Sequence, residues 1–181
     1  MITKKILNMT TINFLKDQII ETRKFTNRLI VEMPVDLWYT MPKDTNSNFA
    51  WQIGHILMAQ NFHIFACTLG RNQRIFERFP VQDYSRVFRG LGSSERSVDK
   101  NYISPNTLKE YFDFVHELCL EGLDKVSDDI LFDKLEPIPF EHPIASNKYE
   151  AISWSFKHEM WHCAEMEQIK LQVGNQFKWI N

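Results

Sequence analysis

The stretch His158-Glu159-Met160-Trp161-His162-Cys163-Ala164-Glu165-Met166 decides how the rest of the chain is read. Four residues are a little over one helical turn, so on a helix the His158 and His162 imidazoles share a face, about 40° apart around the axis. Following that face in both directions gives Ala151, Ser155, His158, His162, Glu165, Ile169 and Val173. This is the inward stripe of a helix from about Lys148 to Val173, stopped by Gly174. Two histidines on the inner side of one helix suit a shared divalent ion. The competing reading is two polar positions on a half-exposed helix.

Three other segments carry the same period. From Thr11 to Met33 the inner stripe is Leu15, Ile19, Thr22, Thr26, Leu29 and Met33, with Phe25 and Ile30 beside it, and Pro34 ends the helix. From Asn48 to Leu69 the stripe is Trp51, His55, Met58, Phe62 and Phe65, with Ser47 or Asn48 as N-cap and Gly70 as terminator. His55 therefore faces inward. From Pro105 to Val126 the stripe is Leu108, Phe112, Val115, Cys119 and Val126, and Ser104-Pro105 is a start signal.

Strand-like alternation is scarce, and there is no internal repeat. Four amphipathic segments without a sheet pattern predict an all-α four-helix bundle, with residues 1–181 as a single domain. The connections between helices two and three and between three and four are long. The first, Arg71 to Ile103, holds Phe76, Phe79, Pro80, Tyr84, Phe88 and Arg89. A loop of that length is either functional or carries its own short helix. The second, Ser127 to Asn147, contains Pro137, Pro139 and Pro143 and should be extended, with a short helical turn.

Composition bounds the function. The 44% hydrophobic content and 14 Phe are ample for a core. A net charge of −2, with basic residues scattered, disfavours nucleic acid as a partner. Cys67, Cys119 and Cys163 are odd in number and far apart, which points to a reducing compartment without a disulfide framework. The segment Met1 to Met9 lacks the apolar run of a signal peptide, and no apolar stretch reaches the roughly 18 residues of a membrane span. A soluble, cytoplasmic protein with no membrane partner is the expectation.

A lone inward His55 reads first as a core histidine bonded to a neighbour. Together with His158 and His162, however, it puts three imidazoles into one bundle interior, and burying unpaired imidazoles is costly. A metal bound by three neutral rings removes that cost and leaves positions for water or substrate, as in a catalytic zinc-type centre.

The chain resembles the DinB/YfiT-like superfamily of metal-dependent four-helix-bundle enzymes. The resemblance rests on Trp51-Gln52-Ile53-Gly54-His55-Ile56-Leu57 opening helix two, and on His158 to Met166 in helix four. A histidine, about a hundred residues, then His-x-x-x-His near the C-terminus is the order of that family. It implies a metal site of His55, His158 and His162. Cys163-Ala164-Glu165-Met166 departs from the small residue and polar partner usual after the second histidine of the pair. The surroundings of the metal and the substrate preference stay open.

The H-E-x-x-H string also matches zincin proteases, with Glu159 as general base. Only 19 residues follow His162, the extended metzincin pattern is absent, and no strand pattern precedes the motif. Glu159 lies about 100° from His158 around the helix, directed at a neighbouring helix or solvent. Glu165 is read as an acceptor behind His162, an added ligand, or a surface partner of Lys170 or another cation. His63, eight residues past His55 and about 80° around, is a flanking residue. His116 is structural, His142 sits exposed in its loop, and Cys163 packs as a small hydrophobe.

The resemblance implies either transfer of a low-molecular-weight thiol or metal-assisted hydrolysis. The first expectation is a metal-dependent S-transferase acting on small electrophiles. Zn or Ni leads as the metal, and Fe, Mn and Co are also compatible with imidazole. The segment Phe76 to Phe88 would wall the pocket, and Arg86 or Arg89 would meet a carboxylate of the thiol. The alternatives are a hydrolase of the same fold and a non-catalytic, stress-associated binding protein. Gly54, Ala151 and Ser155 favour an accessible pocket. Aromatic and methionine content, with the behaviour of that family, makes a homodimer an expectation.

Overall fold

The structure, a computed structural model, describes residues 9–89 and 96–173. Gly174, the expected stop of the last helix, and residues 1–8 lie outside the described residues. The described chain is all-helical: α1 (Thr11–Glu32), α2 (Phe49–Gln60), α3 (Gln73–Arg78), α4 (Val81–Phe88), α5 (Pro105–Leu123) and α6 (Lys148–Gln172). Beyond helices, the described residues form two isolated bridges, Ser47 with Arg96 and Lys134 with Asn147.

Short polar side chains start the long helices by satisfying amide groups that the first turn leaves unpaired. Thr10, Asn48, Ser104 and Asn147 accept from the backbone N–H of Asn13, Trp51, Thr107 and Glu150. Asn48, not Ser47, is thus the cap of α2. Helix α5 ends at Leu123, before the expected Val126.

The second helical segment differs from expectation. It continues to Leu69, but from Asn61 onward it is a π-helix (Asn61–Leu69), closed by Gly70 at φ 81°. That left-handed angle favours glycine. Bonding from i to i+5 winds the chain fewer degrees per residue than an α-helix does. Side chains after Asn61 therefore do not fall where a 3.6-residue count puts them.

Helix α1 packs on α6, and α2 packs on both α5 and α6. Leu15, Ile19, Trp51, Ile56, Phe112 and Met166 are among the buried core. Each such side chain contributes roughly 1.5–3 kcal/mol on burial. Phe25, expected beside the inner stripe of α1, is 47% exposed.

The connection 71–103 carries two short helices, and α4 lies against α2. Gly54 makes that approach possible, because a Cβ there would sit 2.3 Å from Phe88 Cε1. The expectation that Gly54 opens a pocket is therefore overturned: Phe88, fully buried, fills the space. The connection 127–147 carries a 3-10 turn, Asp128–Ile130, as expected, but is otherwise not simply extended: turns and bends interrupt it, and the amides of Ile144 and Ala145 fold around His142. Among the described residues no helix is long and apolar enough to cross a membrane.

Candidate metal centre

The facing surfaces of α2 and α6 bring His55, His158 and His162 together. His158 Nε2 lies 3.1 Å from His162 Nε2 and 3.4 Å from His55 Nε2. Ligand nitrogens about 2.0–2.1 Å from one tetrahedral ion are about 3.3–3.4 Å apart, so the spacing fits a shared metal.

The opposite ring nitrogens explain why these faces converge. His162 Nδ1 donates to the side-chain oxygen of Gln52 at 2.6 Å, and His55 Nδ1 donates to the Phe88 carbonyl at 2.6 Å. Each bond places the proton on Nδ1 and leaves the Nε2 lone pair free for a metal. His158 Nδ1 is buried and has no partner among the described residues. Trp51 stacks on the His55 ring at 4.7 Å, and Trp154 lies 5.9 Å from the His158 ring.

Burial holds His55 and His158 neutral. It lowers His55 to about 4, aided by the charge of His162, and His158 to about 2, aided by His162 and His55. Neutral imidazoles are the form that ligates. The donor set fits a divalent transition metal.

Glu165 stands behind His162, with Oε2 3.2 Å from His162 Nδ1. It accepts from Gln52 Nε2 at 2.7 Å and pairs with Arg96 at 3.2 Å. Burial pushes its carboxyl up, but the hydrogen bonds from His162 and Gln52 and the charges of His162 and Arg96 bring it down to about 2. It is an acceptor for the triad's support rather than a fourth member. Lys170 instead pairs with Glu32 and Glu167. A cleft of about 760 Å³ opens on this side, with Gln52, Arg96, Trp161, Glu165, Gln168 and Gln172 in its lining.

Glu159 turns from the triad into the α1 interface. Arg23 Nε donates to Oε1 at 2.8 Å and Nη2 to Oε2 at 3.1 Å, and Thr26 donates to Oε1 at 2.6 Å. Arg23 also donates to Gln60 and to the Phe112 carbonyl, and Gln60 in turn meets His116 Nδ1 at 3.1 Å. His116 is structural, as expected. Cys163 is buried 3.2 Å from Thr26 Oγ1, and burial leads the rise of its thiol to about 11.

A second cluster, His63, Cys67 and His142, was not foreseen. Their ligand atoms lie within 4.8 Å of one another. The expectation of an exposed His142 is overturned: it is 7% exposed, stacked on Phe62 at 5.6 Å. His142 Nδ1 accepts the N–H groups of Ile144 at 3.1 Å and Ala145 at 2.7 Å, which leaves the ring proton on Nε2. That Nε2–H donates to His63 Nδ1 at 3.1 Å. A metal here would have to displace this proton, so the cluster is a hydrogen-bonded pair. Burial raises the Cys67 thiol to about 12.

Arg86 is 78% exposed and faces Asp83. Arg89 lies over the Phe140 ring at 5.2 Å, next to the residue whose carbonyl holds His55. Gln52, the Phe88 carbonyl and Arg96 escaped the sequence reading. Only Gln52 carried a signal there, three residues before His55 and so on the same helical face.

The sequence model of the DinB superfamily matches residues 18–166, and the chain belongs to that superfamily. A comparison with curated proteins finds no match.

Proposed function

We propose that this DinB superfamily protein is a metal-dependent enzyme built on a four-helix bundle. His55, His158 and His162 hold one divalent transition metal, and the reaction is transfer of a low-molecular-weight thiol to a small electrophile. The observation that carries the reading is the convergence of three Nε2 atoms, two of them on rings whose Nδ1 protons are already engaged. Bound there, the metal would supply a Lewis acid that acidifies a thiol or water near neutral pH.

The chain's own residues do the rest. Gln52 and the Phe88 carbonyl orient two rings, and Glu165 adds negative charge behind His162. Trp51 and Trp154 cover ring faces and limit water. Arg89, beside Phe140, offers a fork for a carboxylate on the thiol. Glu159 is committed to Arg23, so the motif supplies no zincin-type base, which favours transfer over hydrolysis.

The test is metal content by mass spectrometry on untagged protein, with His158→Ala in parallel, followed by a screen of thiols and electrophiles. About one equivalent of transition metal per chain, lost in the variant, is expected. No metal in either protein, and none taken up on titration, overturns the reading.

A further inference from the structure

We propose that His63 is a specificity-determining hydrogen-bond donor beside the triad, locked in one tautomer by His142, that selects ligands presenting an acceptor oxygen. The proposal rests on the triad being a metal centre. It names the ligand chemistry that centre takes: a carbonyl or carboxylate oxygen.

The argument begins in the loop 127–147. Two backbone N–H groups, from Ile144 and Ala145, point at His142 Nδ1. A ring nitrogen that accepts two donors cannot carry a proton. The neutral ring is left with its hydrogen on Nε2, which faces His63 Nδ1 at 3.1 Å. The reverse direction is closed, because His63 donating to His142 would leave His142 with no ring proton. His63 Nδ1 is therefore an acceptor, and its own proton is on Nε2.

The consequence is a one-way ring. His63 can give a hydrogen bond through Nε2–H but has no free lone pair, so it acts as a donor and not as a base. Among the described residues no group accepts from this Nε2–H, although His63 is 6% exposed. Its ring stands edge-on to His158, 5.8 Å between centroids with planes at 80°. The ring as a whole is nearly buried, but this nitrogen is not sealed off with the partnerless buried atoms of the fold, so its N–H meets water that an acceptor oxygen of a bound molecule would replace. It is carried on the π-helical segment, a geometry frequent at functional sites.

Two measurements test this. The first is nitrogen-15 NMR of the histidine side chains in the metal-free protein, with His63→Gln and His142→Ala to assign the signals. His63 and His142 should both be Nε2–H tautomers, and His142→Ala should release His63 to a mixture. His63 found protonated at Nδ1 overturns the proposal without touching the triad.

The second uses cobalt(II)-loaded protein, whose visible spectrum reports ligands at the triad. Acetate is the oxygen probe and ethanethiol the probe without oxygen. A hydrogen bond to a charged acceptor contributes about 1.5–3 kcal/mol, so His63→Ala should weaken acetate roughly 10–100-fold. Cobalt stoichiometry and ethanethiol binding should not change, and His63→Gln, which keeps an N–H donor, should recover part of the loss. Equal acetate affinity in wild type and His63→Ala, or equal weakening of both probes, overturns it. Failure of the wild type to bind cobalt removes the metal reading and this proposal together, and the tautomer measurement tells the two failures apart.

Discussion

Glu159, one residue after His158, gives both carboxylate oxygens to Arg23, which is as deeply buried as its partner. This pair spans α1 and α6 beneath the triad. Breaking a buried pair strands a charge, which destabilises by about 3–5 kcal/mol. Glu159→Ala should therefore lower the midpoint of urea unfolding. Replacing both residues, as Arg23→Met with Glu159→Leu, should recover much of that stability. If Glu159 were a catalytic base, Glu159→Ala would stay as stable as wild type and lose only turnover.

Gln52 fixes His162 from behind, and its loss leaves Glu165 at 3.2 Å as the remaining partner of Nδ1. Groups that orient a metal-ligating histidine typically contribute about 10–100-fold in affinity. Gln52→Leu should weaken zinc binding by that factor in a competition titration. Unchanged affinity would show that the Gln52 bond does not set the ring.

Gly54 bears on the centre through Phe88, since the ring that occupies its empty side also carries the carbonyl bonded to His55. Gly54→Ala forces that ring away from α2, at a cost of about 1–3 kcal/mol for an overpacked site. Thermal unfolding should report the loss, and zinc affinity should fall with it. A variant with the wild-type melting temperature contradicts the packing described.

The pH dependence of the metal-free protein follows from its buried imidazoles. Burial lowers His55 to about 4, His63 and His116 to about 3, and His158 to about 2. In the unfolded chain these rings titrate near 6.5. Below about pH 6.5 the unfolded state takes up protons that the folded state refuses, so stability falls with pH toward about 4 and below. Each ring contributes up to about 1.4 kcal/mol per pH unit. Glu165, held at about 2, contributes stability that is lost only as pH drops below the usual carboxylate range, so its window lies lower. Urea unfolding at pH 8, 6 and 5 should show a plateau and then a decline, shallower in His116→Gln.

What periodicity could read, it read: the faces of α1, α5 and α6 and the inward set of His55, His158 and His162. A helical face is a local property, and the sequence encodes it directly. The partners of those faces are not local. The Phe88 carbonyl belongs to a backbone group, which any residue type supplies, and Arg96 reaches Glu165 from a segment with no periodic signal. A histidine next to a proline in a loop carries no burial signal, yet two amides of that loop wrap the His142 ring. A count of 3.6 residues per turn misplaces His63, because the stretch that carries it does not wind that way.

The change of winding at Asn61 also makes the two histidine clusters mechanically separable. His55 lies before it and His63 after it, on one continuous helical segment. Nine residues wind in this wider coil, so a change in winding after Asn61 turns His63 about the axis while His55 keeps its place in the triad.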